Sequence, residues 1–355
     1  MPASLLSLDN DTRRSLQFLG EKLQIASLLS IRELLKRQED DINNLIQKAA
    51  AERDEVAEVT SWITPILVER DHRDVRQKLG ERHFHSGNWY LVDPMVRRWR
   101  DWTEDNQCLW LRGGVGTGKS SLTSILIDSL IRSPDGNVAF FYCSNKVDKG
   151  GGYQGSCSER LGGENRKLTI DSGTDEKSTT RNNYENILRS LLAQAAVSID
   201  GKIIYQGVRK RFNRDPRHVL AGLGLSGDEC VELLQDIFAV DAAVHFTIVV
   251  DALDECSDYD FLLQRLRNAT DSQPNVKLVF SSRFQVKVDE YFPSPSIVTI
   301  ESQNAGDIER FIDIEIPKRR VGSGMTDDQA SRFKKALLDR ASGMLVVFFS
   351  ASFVD

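Results

Sequence analysis

Apolar residues along this chain follow two patterns: short continuous runs, and longer stretches in which they recur at helical spacing. The runs are typical of buried strands and lie at residues 108–111, 138–143, 246–250, 276–282 and 297–300. Between the runs, apolar positions return every three or four residues, which predicts helices. Strands that alternate with helices predict an α/β fold with a doubly wound, parallel five-stranded sheet.

Helical spacing is clearest in six stretches, at residues 119–130, 184–196, 228–240, 262–266, 305–316 and 331–341. The last two are predicted to be joined by a Gly-Ser-Gly segment at 322–324. Asp93 followed by Pro94 predicts a further helix start, because aspartate caps helices and proline is tolerated in the first turn.

Residues 1–60 are predicted to form an N-terminal helical arm. Three sets of apolar side chains each share a helix face, namely Leu16, Leu19 and Leu23, then Leu28, Ile31 and Leu35, then Ile42, Leu45 and Ala49. The pattern is not a sustained heptad, so it allows two interpretations. One is an arm that packs on a helical signalling partner, and the other is a helical hairpin docked on the core of this chain. The helix is expected to end before Pro65.

The rest of the chain divides by composition. All five tryptophans lie between residues 62 and 110, so we expect residues 61–104 to be a tryptophan-rich helical linker packed on the core. Residues 105–301 contain the predicted sheet. Within them, residues 146–183 are rich in glycine, serine and charge, which predicts a disordered insertion. Residues 302–355 are expected to begin a helical lid that is truncated.

Composition and charge are those of an ordinary globular protein. The net charge of −6 gives no drive towards nucleic acid, and no stretch is long and apolar enough to span a membrane. The five cysteines include no C-x-x-C pair, which argues against disulfides and zinc and fits a cytoplasmic location. His83 and His85 invite a metal interpretation, but only His72 lies near them and no cysteine is close, so we do not expect a metal site there.

Residues 113–120 read G-x-x-x-x-G-K-S, which is the phosphate-cradling loop pattern. An apolar run precedes the loop and a helical pattern follows it, which is the context that the motif requires. Glycines allow the backbone N–H groups to approach an anion, and the helix N-terminus adds partial positive charge. Lys119 is expected to neutralise the β- and γ-phosphates, and the Ser120 hydroxyl is expected to hold Mg²⁺.

A second motif of acidic residues ends the third predicted strand. Asp251 closes this strand, and Asp254 and Glu255 follow it. Three carboxylates so close together repel one another unless a cation is near, and a Mg²⁺-nucleotide supplies one. Asp251 is placed to bind Mg²⁺ through water or through Ser120. Glu255, with Asp254 as the alternative, is a candidate to orient or deprotonate an attacking water. A strand that simply ends in a helix cap is the other interpretation.

Arg283 ends the fourth predicted strand. Its position at the same edge of the sheet as the phosphate loop suits a sensor of the γ-phosphate, and a surface arginine in a turn is the alternative.

Taken together, these motifs resemble those of a NACHT-domain P-loop NTPase. The segment Asp-Ala-Leu-Asp-Glu at 251–255 resembles the NACHT signature, with a small residue after the first aspartate and two distal acids. The ordered set of stretches is similar to the nephrocystin-like N-terminal proteins of filamentous fungi, which are signal-transducing (STAND) NTPases related to NOD-like receptors. These stretches are TSWITPI, GNWYLVDPMVRRW, LWLRGGVGTGKSSL, NILRSLLAQ, IVVDALDEC and LVFSSR.

The resemblance implies a nucleotide-dependent switch, in which ADP holds a closed monomer and ATP permits oligomerisation. Asp251 would bind Mg²⁺ with Ser120, Asp254 and Glu255 would assist hydrolysis, and Arg283 would sense the γ-phosphate. The implied phosphate-binding residues are Gly113, Gly114, Val115, Gly116, Thr117, Gly118, Lys119, Ser120 and Ser121.

The sequence therefore favours a signalling NTPase that binds Mg²⁺ with ATP/ADP or GTP/GDP, because the loop contacts phosphates and does not distinguish the bases. Slow hydrolysis would control conformation and homo-oligomer formation, in fungal non-self recognition or signalling. An interaction scaffold with structural nucleotide and no significant turnover is the main alternative. A small-molecule kinase is disfavoured, because no arginine-rich lid segment lies between the motifs.

Overall fold

The computed structural model describes residues 10–64, 66–79, 87–103, 106–133, 136–144, 181–198, 200–215, 224–323 and 326–341. The chain divides into two compact units, Met1–Glu58 and Val59–Asp355. The predicted linker, sheet and lid regions all belong to the second unit. Most of the predicted insertion and all residues after 341 lie outside the described residues, as do His83 and His85.

The described strands form one all-parallel sheet, as the alternation of strands and helices predicts. The strands are β1 (Cys108–Arg112), β2 (Gly136–Tyr142), β3 (His245–Asp251), β4 (Val276–Ser282) and β5 (Ser296–Thr299). Their order across the sheet is β2-β3-β4-β1-β5. The phosphate-loop strand β1 therefore lies between β4 and β5, and the strand that carries the acidic motif, β3, is separated from it by β4. Because all strands run the same way, their carboxyl ends meet at one edge.

The described helices are α1 (Asn10–Ile63), α2 (Val68–Leu79), α3 (Asn88–Val92), α4 (Pro94–Arg100), α5 (Lys119–Ile131), α6 (Tyr184–Ala195), α7 (Gln206–Arg214), α8 (Gly227–Val240), α9 (Tyr259–Thr270), α10 (Ala305–Ser323) and α11 (Asp327–Ala341). In the second unit, α2 and α3 pack on α5, while α6, α8 and α9 form a separate group. Both groups cover the apolar strands, whose central residues are almost fully buried. This arrangement is the doubly wound α/β fold.

Most predicted element boundaries agree with the structure to within a few residues, and two expectations at the ends of the chain are wrong. The N-terminal helix is continuous from Asn10 to Ile63, so the hairpin interpretation of this region is incorrect. It ends before Pro65, as expected. The helix α10 runs through Pro317 and Gly322 to Ser323, seven residues beyond the predicted end at 316.

Two tryptophans of the predicted linker are fixed at the amino-terminal edge of the sheet. The Trp102 ring stacks on the His245 ring with centroids 3.9 Å apart. The buried ammonium of Lys277, at the start of β4, lies 4.8 Å from the centre of the Trp102 ring. It also donates hydrogen bonds to the main-chain carbonyl groups of Trp99 and Asp101. Lys277 therefore satisfies carbonyl groups at the end of α4 and ties this helix to the sheet.

Gly87 precedes α3 and packs directly on the phosphate-loop helix α5. Its φ of 80° favours glycine, and a Cβ there would lie 2.6 Å from Leu122 Cδ2 and 2.7 Å from Ile125 Cδ1. We expect Gly87→Ala to lower the free energy of unfolding by about 2 kcal/mol in urea denaturation, because backbone strain and overpacking add.

Gly201→Ala is the matched control for that substitution. Gly201 has a φ of 71°, but no atom lies within 4 Å of the position of an added Cβ. The control reports backbone strain alone, so an equal loss of stability in both variants would contradict the packing role of Gly87.

No helix among the described residues is long and apolar enough to cross a membrane.

Candidate functional site

The predicted phosphate loop connects β1 to α5 at the carboxyl edge of the sheet. The main-chain N–H of Gly113 donates to the carbonyl of Ser282 at 3.2 Å, which extends the pairing of β1 with β4 into the loop. Gly116 and Gly118 then take φ angles of 74° and 96°. Only glycine adopts this backbone readily, so these two residues let the chain turn sharply into the first residue of α5, Lys119.

The side chain of Lys119 contacts the main chain of the loop that precedes it. Its ammonium donates to the main-chain carbonyls of Gly113 at 2.8 Å and Gly114 at 2.7 Å. Burial lowers the pKa of Lys119, while the nearby carboxylates of Asp254 and Asp251 oppose that shift. The site thus places a half-buried positive charge at the start of a helix, where the helix dipole already favours an anion.

The other loop residues have different exposures. Thr117 is 2% exposed, and its hydroxyl donates to the Gly114 carbonyl at 3.1 Å. Val115 is 57% exposed at the tip of the loop. Ser121 lies within α5, where its carbonyl accepts a hydrogen bond from the Ser124 hydroxyl at 2.7 Å. The Thr117 hydroxyl therefore adds to the hydrogen bonds by which Lys119 holds the loop.

Asp251 is buried at the end of β3 and faces the first turn of α5. Its carboxylate accepts a hydrogen bond from the Ser281 hydroxyl, and the Ser120 hydroxyl lies near enough to favour its ionised form. Burial raises the pKa of Asp251, and these hydrogen bonds and the charge of Lys119 act in the opposite direction. Ser120 and Asp251 therefore lie close together, and Ser281 on the intervening strand β4 holds the Asp251 carboxylate. Their role in binding Mg²⁺ stays a prediction.

Asp254 and Arg283 are paired with each other. Asp254 accepts a hydrogen bond from the Arg283 main-chain N–H at 3.0 Å and one from its Nε at 2.9 Å. The Arg283 side chain is 41% exposed and that of Asp254 only 4%. Arg283 is therefore held on the carboxyl edge by a carboxylate. Its role as a sensor of the γ-phosphate stays a prediction, beside the alternative of a surface arginine next to a turn.

Glu255 lies beside Asp254 in a short 3-10 turn, Leu253–Glu255. The turn is entered through Ala252, whose φ of 53° is unusual for a residue other than glycine and whose N–H donates to the Ser281 hydroxyl at 2.8 Å. The next helix, α9, begins at Tyr259 with Asp258 before it. The three acids therefore do not cap that helix, and the helix-cap interpretation of the motif is wrong.

Several residues at this edge were not identified from the sequence. Asn182 accepts a hydrogen bond from the N–H of Ser144, after β2, and donates to the carbonyl of Glu255 at 3.3 Å. Asn182 belongs to the last three residues of the predicted insertion, which the structure describes. Glu301 accepts a hydrogen bond from the Gly114 N–H. Asn182 lies in no recognisable motif. Glu301 directly follows the fifth predicted strand, so its position at the carboxyl end of a strand was the signal that could have identified it.

His72 takes part in a polar cluster. Its ring hydrogen-bonds to the Tyr142 hydroxyl at 2.8 Å and to Asp128 at 2.9 Å, and Arg76 also contacts Asp128 at 2.8 Å. Within the part of the chain that the structure describes, no group of three or more His, Cys, Asp or Glu residues is arranged to hold a metal ion.

These residues fit a Mg²⁺-nucleotide. The loop is a cradle that a side chain would fill, because a Cβ on Gly113 would lie 2.8 Å from the Thr117 hydroxyl. The donors are backbone N–H groups and the Lys119 ammonium, which suit phosphate. The Ser120 hydroxyl and the Asp251 carboxylate offer oxygen atoms, which Mg²⁺ prefers as ligands. Mg²⁺ commonly uses one or two carboxylates together with phosphate oxygens, so a cage of protein ligands is not required.

Comparison with known families gives one match that covers more than half of this chain. The family model described as Nephrocystin 3, N-terminal, matches residues 85–155 and 171–283. The matched residues include the whole phosphate loop, the acidic motif and Arg283. The unmatched residues 156–170 fall inside the predicted insertion.

The chain is also similar to individual proteins. It is 26% identical over 205 residues to the vegetative incompatibility protein HET-E-1 of Podospora anserina. This match covers 57% of the chain but only 12% of that relative, so the chain corresponds to a small part of the relative's length. The structure of Drosophila ORC bound to DNA matches with a TM-score of 0.37 and 15% identity, over 80% of this chain and 59% of that one.

Proposed function

Because this chain belongs to the nephrocystin 3 N-terminal family of NACHT-type P-loop NTPases, we propose that it is a nucleotide switch that binds Mg²⁺ with ATP or GTP. Slow hydrolysis to the diphosphate would change its conformation and its tendency to form homo-oligomers. The proposal rests on one observation above all. A loop whose main-chain carbonyl groups accept hydrogen bonds from Lys119 lies at the same edge of the sheet as the buried Asp251 and the Asp254–Arg283 pair.

Each residue of the site has a distinct proposed role. The loop residues Gly113 to Ser121 hold the phosphates through main-chain N–H groups, and Lys119 adds charge. Ser120 and Asp251 hold Mg²⁺, which when bound neutralises phosphate charge and polarises the bond that breaks. The carboxylate of Asp254 already accepts two hydrogen bonds from Arg283.

These contacts support different proposed roles for the two acids. Asp254 is best suited to position Arg283 for the γ-phosphate, which leaves Glu255 as the better candidate to orient or deprotonate the attacking water. The assignment of the attacking water to Glu255 agrees with the preference for Glu255 that the sequence analysis expresses.

The biological role that we propose is signalling in the cytoplasm of a fungus. The relative HET-E-1 is named as a vegetative incompatibility protein, which supports a role in non-self recognition for this chain as well. In this proposal, the N-terminal helix α1 contacts a helical signalling partner, and neither nucleic acid nor a membrane is a partner.

The first test is to denature the purified full chain and identify any released nucleotide by chromatography. We expect about one ADP or GDP per chain, because a switch of this type keeps its product bound. The result also identifies the base. Folded protein that releases no nucleotide, and whose melting temperature does not change when Mg²⁺ with ADP or GDP is added, would contradict the proposal.

An interaction scaffold with structural nucleotide is the second candidate function. One observation favours it: α1 carries many large apolar side chains that are at least half exposed, such as Leu23 at 68% and Leu45 at 66%. Such a surface is typical of a binding site for another protein. The two functions differ in hydrolysis, so multiple turnover of ATP or GTP by the wild-type protein would exclude the scaffold.

A further inference from the structure

The carboxylate of Glu301 contacts the phosphate loop. Glu301 lies in the 3-10 turn Ile300–Ser302, directly after β5, and β5 pairs with β1. Its Oε1 accepts a short hydrogen bond from the main-chain N–H of Gly114. Both of its carboxylate oxygens lie 3.3 Å from the position that a Cβ on Gly113 would take. A negatively charged side chain of the protein thus occupies a main-chain donor of an anion-binding loop.

Only one of the two oxygens of the Glu301 carboxylate has a hydrogen-bond partner among the described residues. Oε2 of Glu301 is buried and makes no hydrogen bond with any residue in the described part of the chain. A buried carboxylate oxygen without a partner costs free energy, and such groups in folded proteins are often found at functional positions. The contact is therefore weaker than a fully hydrogen-bonded carboxylate would be, and a competing charge can break it.

The segment that carries Glu301 has further contacts that lead from the loop into α10. The amide of Asn304 donates to the Thr117 carbonyl at 3.4 Å. Asp307, in the first turn of α10, accepts from the Gly87 N–H at 2.7 Å and from the Trp89 ring at 2.9 Å. The position of the loop and the position of the first turn of α10 are thus linked through residues 301–307.

We propose that Glu301 is an internal anionic ligand of the phosphate loop, which weakens nucleotide binding and moves away together with the start of α10 when nucleotide binds. The proposal rests on the proposed function, because it needs phosphate at the loop. Its physical basis is repulsion between two anions that approach the same short loop from different sides. Burial lowers the pKa of Lys119, and Glu301 is one of the carboxylates whose charge opposes that shift.

The coupling must act in both directions. If the charge of Glu301 disfavours nucleotide, then nucleotide disfavours the contact of Glu301 with Gly114 to the same extent. Nucleotide binding would therefore loosen residues 300–308, which contain the turn and the first turn of α10. Nucleotide binding at the loop would thus be coupled directly to the predicted lid region, and this coupling needs no large movement of the sheet.

The test compares wild type with Glu301→Gln in the full chain. Glutamine has the same shape and keeps an oxygen that accepts from Gly114, so it removes the charge but not the hydrogen bond. Calorimetry with Mg²⁺ and ADP, and separately with GDP, is expected to give about tenfold tighter binding of the preferred nucleotide for Glu301→Gln. Glu232→Gln is the matched control, because it removes the same charge from an exposed position on α8 and should leave the dissociation constant within twofold of wild type.

A second measurement follows hydrogen exchange in residues 300–308. In wild type, adding nucleotide is expected to speed exchange there by threefold or more, whereas Glu301→Gln should show little change. If Glu301→Gln does not fold, Glu301→Asp replaces it. The shorter aspartate side chain reaches Gly114 less well. The Glu301→Asp protein should therefore bind nucleotide more tightly than wild type, and hydrogen exchange in α10 should be faster than in wild type before nucleotide is added.

The outcomes separate this inference from the proposed function. Wild type that binds nucleotide while Glu301→Gln binds equally or more weakly would overturn the inference and leave the proposed function intact. If neither protein binds nucleotide, the proposed function fails and the inference fails with it. Tighter binding by Glu301→Gln, with the control unchanged, supports both.

Discussion

Replacing Lys119 with alanine is expected to weaken nucleotide binding by about 100-fold or more, because two charge-assisted contacts with phosphate would be lost. The protein itself should remain folded. Burial lowers the pKa of Lys119, which means that keeping this ammonium charged and half-buried costs free energy. The alanine variant no longer has this cost. The gain offsets part of the free energy that is lost with the hydrogen bonds from Lys119 to Gly113 and Gly114. The measurements are released nucleotide, the dissociation constant and a thermal melt.

Lys202→Ala provides the control for that experiment. Lys202 is 66% exposed and pairs with Asp200 on the surface, so its loss removes one positive charge without touching the loop. Nucleotide content equal to that of wild type in Lys119→Ala would contradict the assignment of the loop. A variant that unfolds when nucleotide is lost would instead favour the scaffold, in which nucleotide is structural.

Replacing Asp251 with asparagine is expected to remove the dependence of nucleotide binding on Mg²⁺. In wild type, we expect Mg²⁺ to increase affinity by about 100-fold, since the metal ion neutralises phosphate charge. Asparagine keeps the shape and an oxygen that accepts from Ser281 but loses the charge that would hold the metal ion. Titrations with and without Mg²⁺ measure this directly. Asp289→Asn, in an exposed 3-10 turn, is the control.

The same substitution makes a prediction about stability and pH in the absence of Mg²⁺. The folded-state pKa of Asp251 is raised, mainly by burial, so the folded protein holds a proton there more readily than the unfolded chain. The contribution of Asp251 to stability is fully present below its unfolded pKa and is lost as pH rises through the folded pKa. Asp251→Asn should therefore be at least as stable as wild type at pH 7, and this advantage should shrink as pH falls.

A wild type that is clearly more stable than Asp251→Asn at pH 7 without Mg²⁺ would show that the hydrogen bonds to the ionised carboxylate outweigh its burial. Retention of the full Mg²⁺ effect by Asp251→Asn would remove Asp251 from the metal site. The two results are independent, because the stability measurement is made on the protein without ligand, whereas the titrations measure the binding of nucleotide.

The sheet and the phosphate loop were predictable because their signals are local. A strand buried on both faces needs a continuous apolar run, and five such runs gave the five strands with errors of a few residues. The loop needs glycine where φ is positive, and Gly116 and Gly118 take such angles. Asp251 could be placed because it ends an apolar run, and side chains at the carboxyl ends of parallel strands share an edge.

Other features could not be predicted, because they depend on partners that are distant in the sequence. The strand order, with β4 between β1 and β3, does not follow from the local pattern of any single strand. It places Ser281 against Asp251, and it ties Arg283 to Asp254, where the sequence suggested separate roles. The continuity of α1 was also uncertain from its pattern, since a helix and a hairpin of two helices share the same spacing of apolar residues.

The sequence by itself determined the α/β class, the phosphate loop and the acids that end the third strand. Each of these follows from the conformation that a few consecutive residues must adopt. Only the tertiary structure decided which of these charges meet. Glu301 lies 187 positions from Gly114 in the chain. Its place after the fifth apolar run indicates the carboxyl edge of the sheet, but the contact with the loop depends on which strand pairs with β1. The contact exists because β5 pairs with β1 and carries the next turn to the loop, so a charge that follows this edge strand lies beside the loop.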